Sequence, residues 1–73
     1  MSEIQLLDVV ALTENLPKYR LIRGQVGTVV EQLAPHVYEV EFSDDDGQTY
    51  AMCALQTKQM MVLHYSTRTE KAA

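Results

Sequence analysis

Two glycines three residues apart, followed at once by a β-branched run, constrain this chain more than any other feature. The segment is Leu21-Ile22-Arg23-Gly24-Gln25-Val26-Gly27-Thr28-Val29-Val30-Glu31. Glycine enters positive φ without steric cost and lets another backbone approach closely. Thr28, Val29 and Val30 suit a pleated, half-buried surface. The segment reads as a tight turn feeding a strand of a small barrel, which sets an architecture and names no chemistry.

The rest of the chain fits that frame. Leu6-Leu7-Asp8-Val9-Val10-Ala11-Leu12 is an apolar run broken by one acid. Its β-branched pair and the polar Thr13-Glu14-Asn15 behind it favour a first strand. Thr13 to Arg20 reads as a loop, because Pro17 keeps Leu16 out of helical geometry. Leu16, Tyr19 and Leu21 are expected to fold back as a lid over one end of the barrel. A second strand is expected from about Gly27 to Leu33, broken by Ala34-Pro35-His36. Val37-Tyr38-Glu39-Val40-Glu41-Phe42 alternates strictly, with Tyr38, Val40 and Phe42 on one face and the two acids on the other, the period of a half-buried antiparallel strand.

Asp-Gly inside Ser43-Asp44-Asp45-Asp46-Gly47-Gln48 marks a hairpin turn. Thr49-Tyr50-Ala51-Met52-Cys53-Ala54-Leu55 is a fourth strand with two mostly apolar faces. Gln56-Thr57-Lys58-Gln59 suits one 3-10 turn, and Met60-Met61-Val62-Leu63 closes the barrel as a fifth strand. The predicted class is all-β. Residues 1–63 form one barrel domain, and residues 64–73, without apolar pattern, form a flexible C-terminal tail.

Size and charge narrow the function classes. At 73 residues there is room for one domain, and a chain this short buries only about 60% of its unfolded surface. The single cysteine, Cys53, excludes an internal disulfide framework and suits a reducing cytoplasm. No apolar run approaches the roughly 20 residues needed to span a bilayer, and Met1-Ser2-Glu3-Ile4-Gln5 lacks the basic start of a signal peptide. The formal charge is −4, with only six Lys and Arg. Nucleic-acid affinity draws mainly on Lys and Arg against phosphate, so the acidity argues against a nucleic-acid partner and for a basic protein.

The chemistry-bearing side chains form no catalytic constellation. Asp44, Asp45 and Asp46 are adjacent, whereas a calcium loop places oxygen ligands at alternating positions over about twelve residues; a solvated turn is the better reading. His36, Cys53 and His64 are too few and too widely spaced for a structural zinc site, so no cofactor or metal is expected. A reactive thiol needs an electropositive setting, and Cys53 stands mid-strand in an apolar, net-acidic chain. No nucleophile elbow, P-loop or dinucleotide fingerprint occurs. Ala11-Leu12-Thr13 is similar to part of the proline-binding SH3 signature, but those grooves rely on stacked aromatics including Trp, and this chain has no Trp. The chain is therefore not expected to be an enzyme.

Several segments together carry a resemblance. Leu7-Asp8-Val9-Val10-Ala11-Leu12, Leu16-Pro17, Leu21, Arg23-Gly24 and Val26-Gly27-Thr28-Val29-Val30-Glu31 are joined by Tyr38-Glu39-Val40-Glu41-Phe42 and Asp46-Gly47-Gln48-Thr49-Tyr50-Ala51. Their order resembles the SH3-like barrel superfamily, and within it a group of small bacterial proteins classed as a domain of unknown function, over about residues 6–63. The resemblance implies a five-stranded SH3-like barrel with a short 3-10 turn before the last strand. It implies a stand-alone binding protein, and some members resemble the smaller, antitoxin-like partner of two-gene pairs. The Gly-x-x-Gly-Thr-Val-Val piece alone also resembles KOW motifs of ribosomal and transcription proteins.

The stronger functional clue is surplus apolar side chain. A barrel buries one face of each strand, yet the first, fourth and fifth strands are apolar on both. The expected function is a non-catalytic protein-binding module that neutralises a basic, toxin-like partner. The contact is assigned to Val10, Leu12, Ala51, Cys53, Leu55 and Met61 on the outer faces, rimmed by Glu39 and Glu41. A homo-oligomer is the other arrangement left open. The competing expectation is a KOW-like nucleic-acid binder using Lys18, Arg20 and Arg23.

Overall fold

The computed structural model describes residues 4–64. They form one antiparallel sheet of five strands: β1 (Val9–Leu12), β2 (Val26–Ala34), β3 (Val37–Ser43), β4 (Thr49–Gln56) and β5 (Met60–Val62). The spatial order is β4-β3-β2-β1-β5. Two 3-10 turns, Pro17–Tyr19 and Thr57–Gln59, are the only helical elements among the described residues. The all-β reading holds, including the 3-10 turn before the last strand. The sheet is open: no ladder among the described residues joins β4 to β5, so the expected closed cylinder is not formed by strand pairing. The turn Thr57–Gln59 spans the gap instead. Thr13 Oγ1 donates to the Lys58 carbonyl at 2.9 Å, and the Thr57 amide donates to the His36 carbonyl at 3.0 Å.

The expected strand limits shift by one residue at one or both ends of β2, β3, β4 and β5, and by three at the start of β1. β1 begins only at Val9, because the Asp8 carboxylate accepts the Gln5 amide at 2.8 Å and holds Gln5 to Asp8 as a turn. Leu7 takes φ 71° there, and Leu6 and Leu7 stay exposed. β2 runs through Ala34 and carries two register shifts, around Val30 and around Leu33. An extra residue on one strand raises the local twist, which bends β2 around the core. Pro35 and His36 then reverse the chain. Pro35 followed by φ 67° at His36 fits a type II turn, whose third residue is normally Gly or Asn.

The two glycines of the opening segment act differently. Gly24 takes φ 94°, the left-handed region a side chain disfavours. Gly27 does not; a Cβ there would lie 2.8 Å from Val40 Cγ1 and 2.9 Å from both the Glu41 carbonyl oxygen and Phe42 Cδ2. It lets the paired strands β2 and β3 lie close together at this point. The core gathers beneath it: Val10, Leu21, Val29, Val40, Phe42 and Leu55 are the most deeply buried large side chains. Leu16 and Leu21 pair as an isolated bridge and seal one end, as the lid reading required, while Tyr19 stays outside at 38% exposure. Residues 65–73, nearly all of the expected tail, lie outside the described residues, and His64 is exposed beyond β5.

Candidate functional site

Cross-strand register decides which face of each strand meets solvent. Tyr38, Val40 and Phe42 of β3 are buried. Leu55, Cys53 and Ala51 of β4 stand opposite them. The pleat puts directly opposed residues on the same face, so this β4 set faces the core. Cys53 and Leu55 are buried and Ala51 is half-buried against the same cluster. Val10 and Leu12 likewise share the inner face with Gly27 and Met60, their ladder partners, and are buried. Of the expected contact residues, Val10, Leu12, Cys53 and Leu55 are thus core rather than outer surface, and Ala51 also faces inward, half-buried against the core. Met61 is exposed, and Glu39 and Glu41 are half-buried on the outer face. The missing signal was the hairpin register, since the Asp-Gly turn ties β4 to the clean alternation of β3.

The other face forms the candidate site, and it is ordered in rows across the sheet. One row is Ala54, Glu39 and Glu31; a second is Met52, Glu41, Thr28 and Val9; a third is Val26, Ala11 and Met61. Val26, Met52 and Met61 are each about half exposed. Ala11, paired with Val26 on one side and Met61 on the other, is buried. Glu31 and Glu39 stand directly opposite in the β2–β3 ladder. Like charges so placed are destabilising. Glu41 is engaged, since the Thr49 hydroxyl donates to its carboxylate.

Tyr50 sits at the register shift beside Phe42 and Ser43. Its ring leans on Phe42 with centroids 6.4 Å apart, and its hydroxyl accepts Gln25 Nε2 at 3.0 Å. At the β3–β4 turn, Asp44 Oδ1 accepts the Asp46 amide at 2.9 Å and the Gln48 amide at 3.0 Å, with Gly47 at φ 81°. This carboxylate shapes the hairpin. The Cys53 thiol is free, buried and pushed up from its ordinary pKa, by desolvation first and by the Glu39 carboxylate second. It stays a thiol at neutral pH, which opposes nucleophilic use.

A concavity of about 810 Å³ opens beside β5, between the β2–β3 turn and the second 3-10 turn. His36 and His64 both line it, together with Tyr38, Met60 and Met61. No three His, Cys, Asp or Glu side chains come together to hold an ion among the described residues. Lys18, Arg20 and Arg23 are exposed around the first 3-10 turn. Lys18 Nζ lies 5.7 Å from the Tyr19 ring centroid, and the Arg23 amide is held by Asn15 Oδ1 at 2.8 Å.

Comparison with protein families adds one decisive finding. The family described as Domain of unknown function (DUF4926) matches residues 6–62. The chain belongs to this family. The match spans β1 through β5, so the DUF4926 domain and the sheet coincide. No curated protein matches the chain, and no solved structure does. No helix among the described residues of this DUF4926 protein is long and apolar enough to cross a membrane.

Proposed function

We propose that this DUF4926 chain is a non-catalytic protein-binding module whose outer sheet face receives a basic partner. One observation carries the reading: Glu31 and Glu39 face each other on a surface shared with half-exposed Val26, Met52 and Met61. A fold stabilises itself by avoiding such a charge pair, and departures from local rules concentrate at functional sites. A cation brought by a partner removes the conflict. The acids speed encounter, and burial of Met52, Val26 and Met61 holds the complex. The binding face is thus Glu39, Glu41 and Met61 of the sequence-based set, extended by Glu31, Met52 and Val26.

In its finer form the partner is a toxin-like protein that this chain neutralises in the cytoplasm, where the free thiol of Cys53 persists. Native mass spectrometry of the endogenous protein tests the reading. A heterocomplex with a protein of basic pI is expected, and its loss when Glu31, Glu39 and Glu41 are changed together to Gln. An endogenous protein that runs only as a lone monomer overturns it. Co-expression with the neighbouring gene's product tests the neutralising form: growth arrest by that product is expected to be relieved.

A second reading, a KOW-like nucleic-acid binder, rests on the exposure of Lys18, Arg20 and Arg23 around one loop. It requires a salt-dependent mobility shift of RNA or DNA that vanishes when all three become Ala.

A further inference from the structure

The two edges of the sheet are guarded very differently. β5 is three residues long, and the 3-10 turn leads directly into it. β4 is eight residues long and, among the described residues, ends the ladder on the other side. Natural edges are blunted by Lys, Pro, short length or inward charges. Thr49–Gln56 has no charged residue, no Pro and no Gly. An edge strand presents unpaired backbone donors and acceptors along one side, and extended segments bind by adding there.

We infer that β4 takes an extended basic segment of another protein as a sixth strand, with a Lys or Arg opposite Ala54 that reaches the Glu39–Glu31 pair. The inference rests on the binding-module reading above and names its mode. The geometry follows from register. Ala54, Glu39 and Glu31 lie in one row. A strand added to β4 would stand about 9.6 Å from β3, twice the usual strand spacing. Ala54 is exposed and small, so a long side chain opposite it passes over one methyl group to the Glu39 carboxylate. A shorter side chain cannot span that distance, which selects Lys and Arg. Alternate residues of the incoming strand turn to the other face and extend the core edge beside Cys53 and Leu55. Charge separates this occupant from a second copy of the chain. Two molecules of formal charge −4 joined through β4 would bring two acidic rows together with no cation between them.

An eight-residue peptide of alternating Val and Lys, matched to the length of β4, is the probe. A peptide with Glu in place of Lys is its control. Amide hydrogen exchange and chemical shifts are read by NMR on the full chain. Slowed exchange and shift changes confined to β4 and its neighbours are expected with the Lys peptide and absent with the Glu peptide. Glu39→Gln is expected to weaken binding about tenfold, the scale of one charge-assisted contact. Ala54→Lys, which places an edge cation beside Glu39 at an exposed position, is expected to abolish it while the chain stays folded. Protection elsewhere with β4 unchanged overturns the inference and leaves the binding module standing. Protection of β4 that grows with protein concentration and needs no peptide makes a second copy the occupant, and also overturns it. No response to the Lys peptide at millimolar concentration overturns the strand-addition mode, while the native-complex measurement decides the binding module separately.

Discussion

The β3–β4 hairpin carries two faces built from interleaved residues, and they obey opposite rules. Its inner face, Tyr38, Val40, Phe42, Cys53 and Leu55, is buried. Its outer face, Glu39, Glu41, Met52 and Ala54, mixes half-buried acid with exposed apolar side chain. One face satisfies every local preference. The other opposes Glu39 to Glu31 and leaves half of Met52 in water. A chain with so small a core has little stability to spare, so the difference locates where stability is made and where it is given up.

The largest effect should come from the inner face. Phe42→Ala removes a fully buried ring and is expected to cost about 3–5 kcal/mol, comparable to the whole stability of a small domain. Urea titration followed by circular dichroism should show little folded protein. Met52→Ala, two strand residues from Ala54 on the outer face, should move the midpoint by no more than about 0.5 kcal/mol. Equal losses would erase the distinction between the faces. Next comes Gly27→Ala, where the new Cβ meets Val40, Phe42 and the Glu41 carbonyl. Overpacking against backbone should cost about 2–3 kcal/mol. A wild-type midpoint for this variant would mean that β2 and β3 have room to separate.

This pairing of faces also explains what the sequence made legible. Strict alternation in Val37–Phe42 and the Asp-Gly hairpin turn of Ser43–Gln48 required no tertiary knowledge, and the strand and the turn appear as expected, with β3 one residue longer. The lid of Leu16 and Leu21 was legible for the same reason, since Pro17 forces a turn and leaves two leucines to bury. β1 and β4 are apolar on both sides, so periodicity could not orient them. Their facing was settled by pairing to β2 and β3, and the expected contact residues Val10, Leu12, Ala51, Cys53 and Leu55 fell inward. The opposition of Glu31 to Glu39 was hidden further. It depends on the extra residue at Val30, which shifts Glu31 onto the outer face, and no propensity marks that position. Whether the cylinder closes depends on twist accumulated over five strands, a quantity no single segment encodes.

A smaller effect tests the inner face through its one titratable sulfur. The Cys53 pKa is raised in the folded state by desolvation and by Glu39. A raised pKa means that the folded chain holds this proton more tightly than the unfolded chain. The stabilising contribution is full below the ordinary thiol value of 9.0 and is lost as pH rises above it. Stability should therefore fall between neutral pH and pH values above 9, and Cys53→Ala should flatten that decline relative to its own neutral-pH value. An unchanged slope in the variant would place the thiol in contact with water.

The smallest expected effect bears most directly on the outer face. Glu39→Gln removes one of two carboxylates that oppose each other across β2 and β3. Relief of a directly opposed like-charge pair should raise stability by about 0.5 kcal/mol, an unusual sign for a substitution in a sheet. Salt supplies the control. Repulsion between half-exposed acids is screened as ionic strength rises, so sodium chloride should stabilise the wild type more than the variant, and the two should converge at high salt. Glu41→Gln should do the reverse at low salt, because the Thr49 hydroxyl donates to that carboxylate. If Glu39→Gln destabilised the chain and salt left the gap unchanged, the acid pair would be part of the fold's own support. The outer face would then have no stability set aside for a partner to restore.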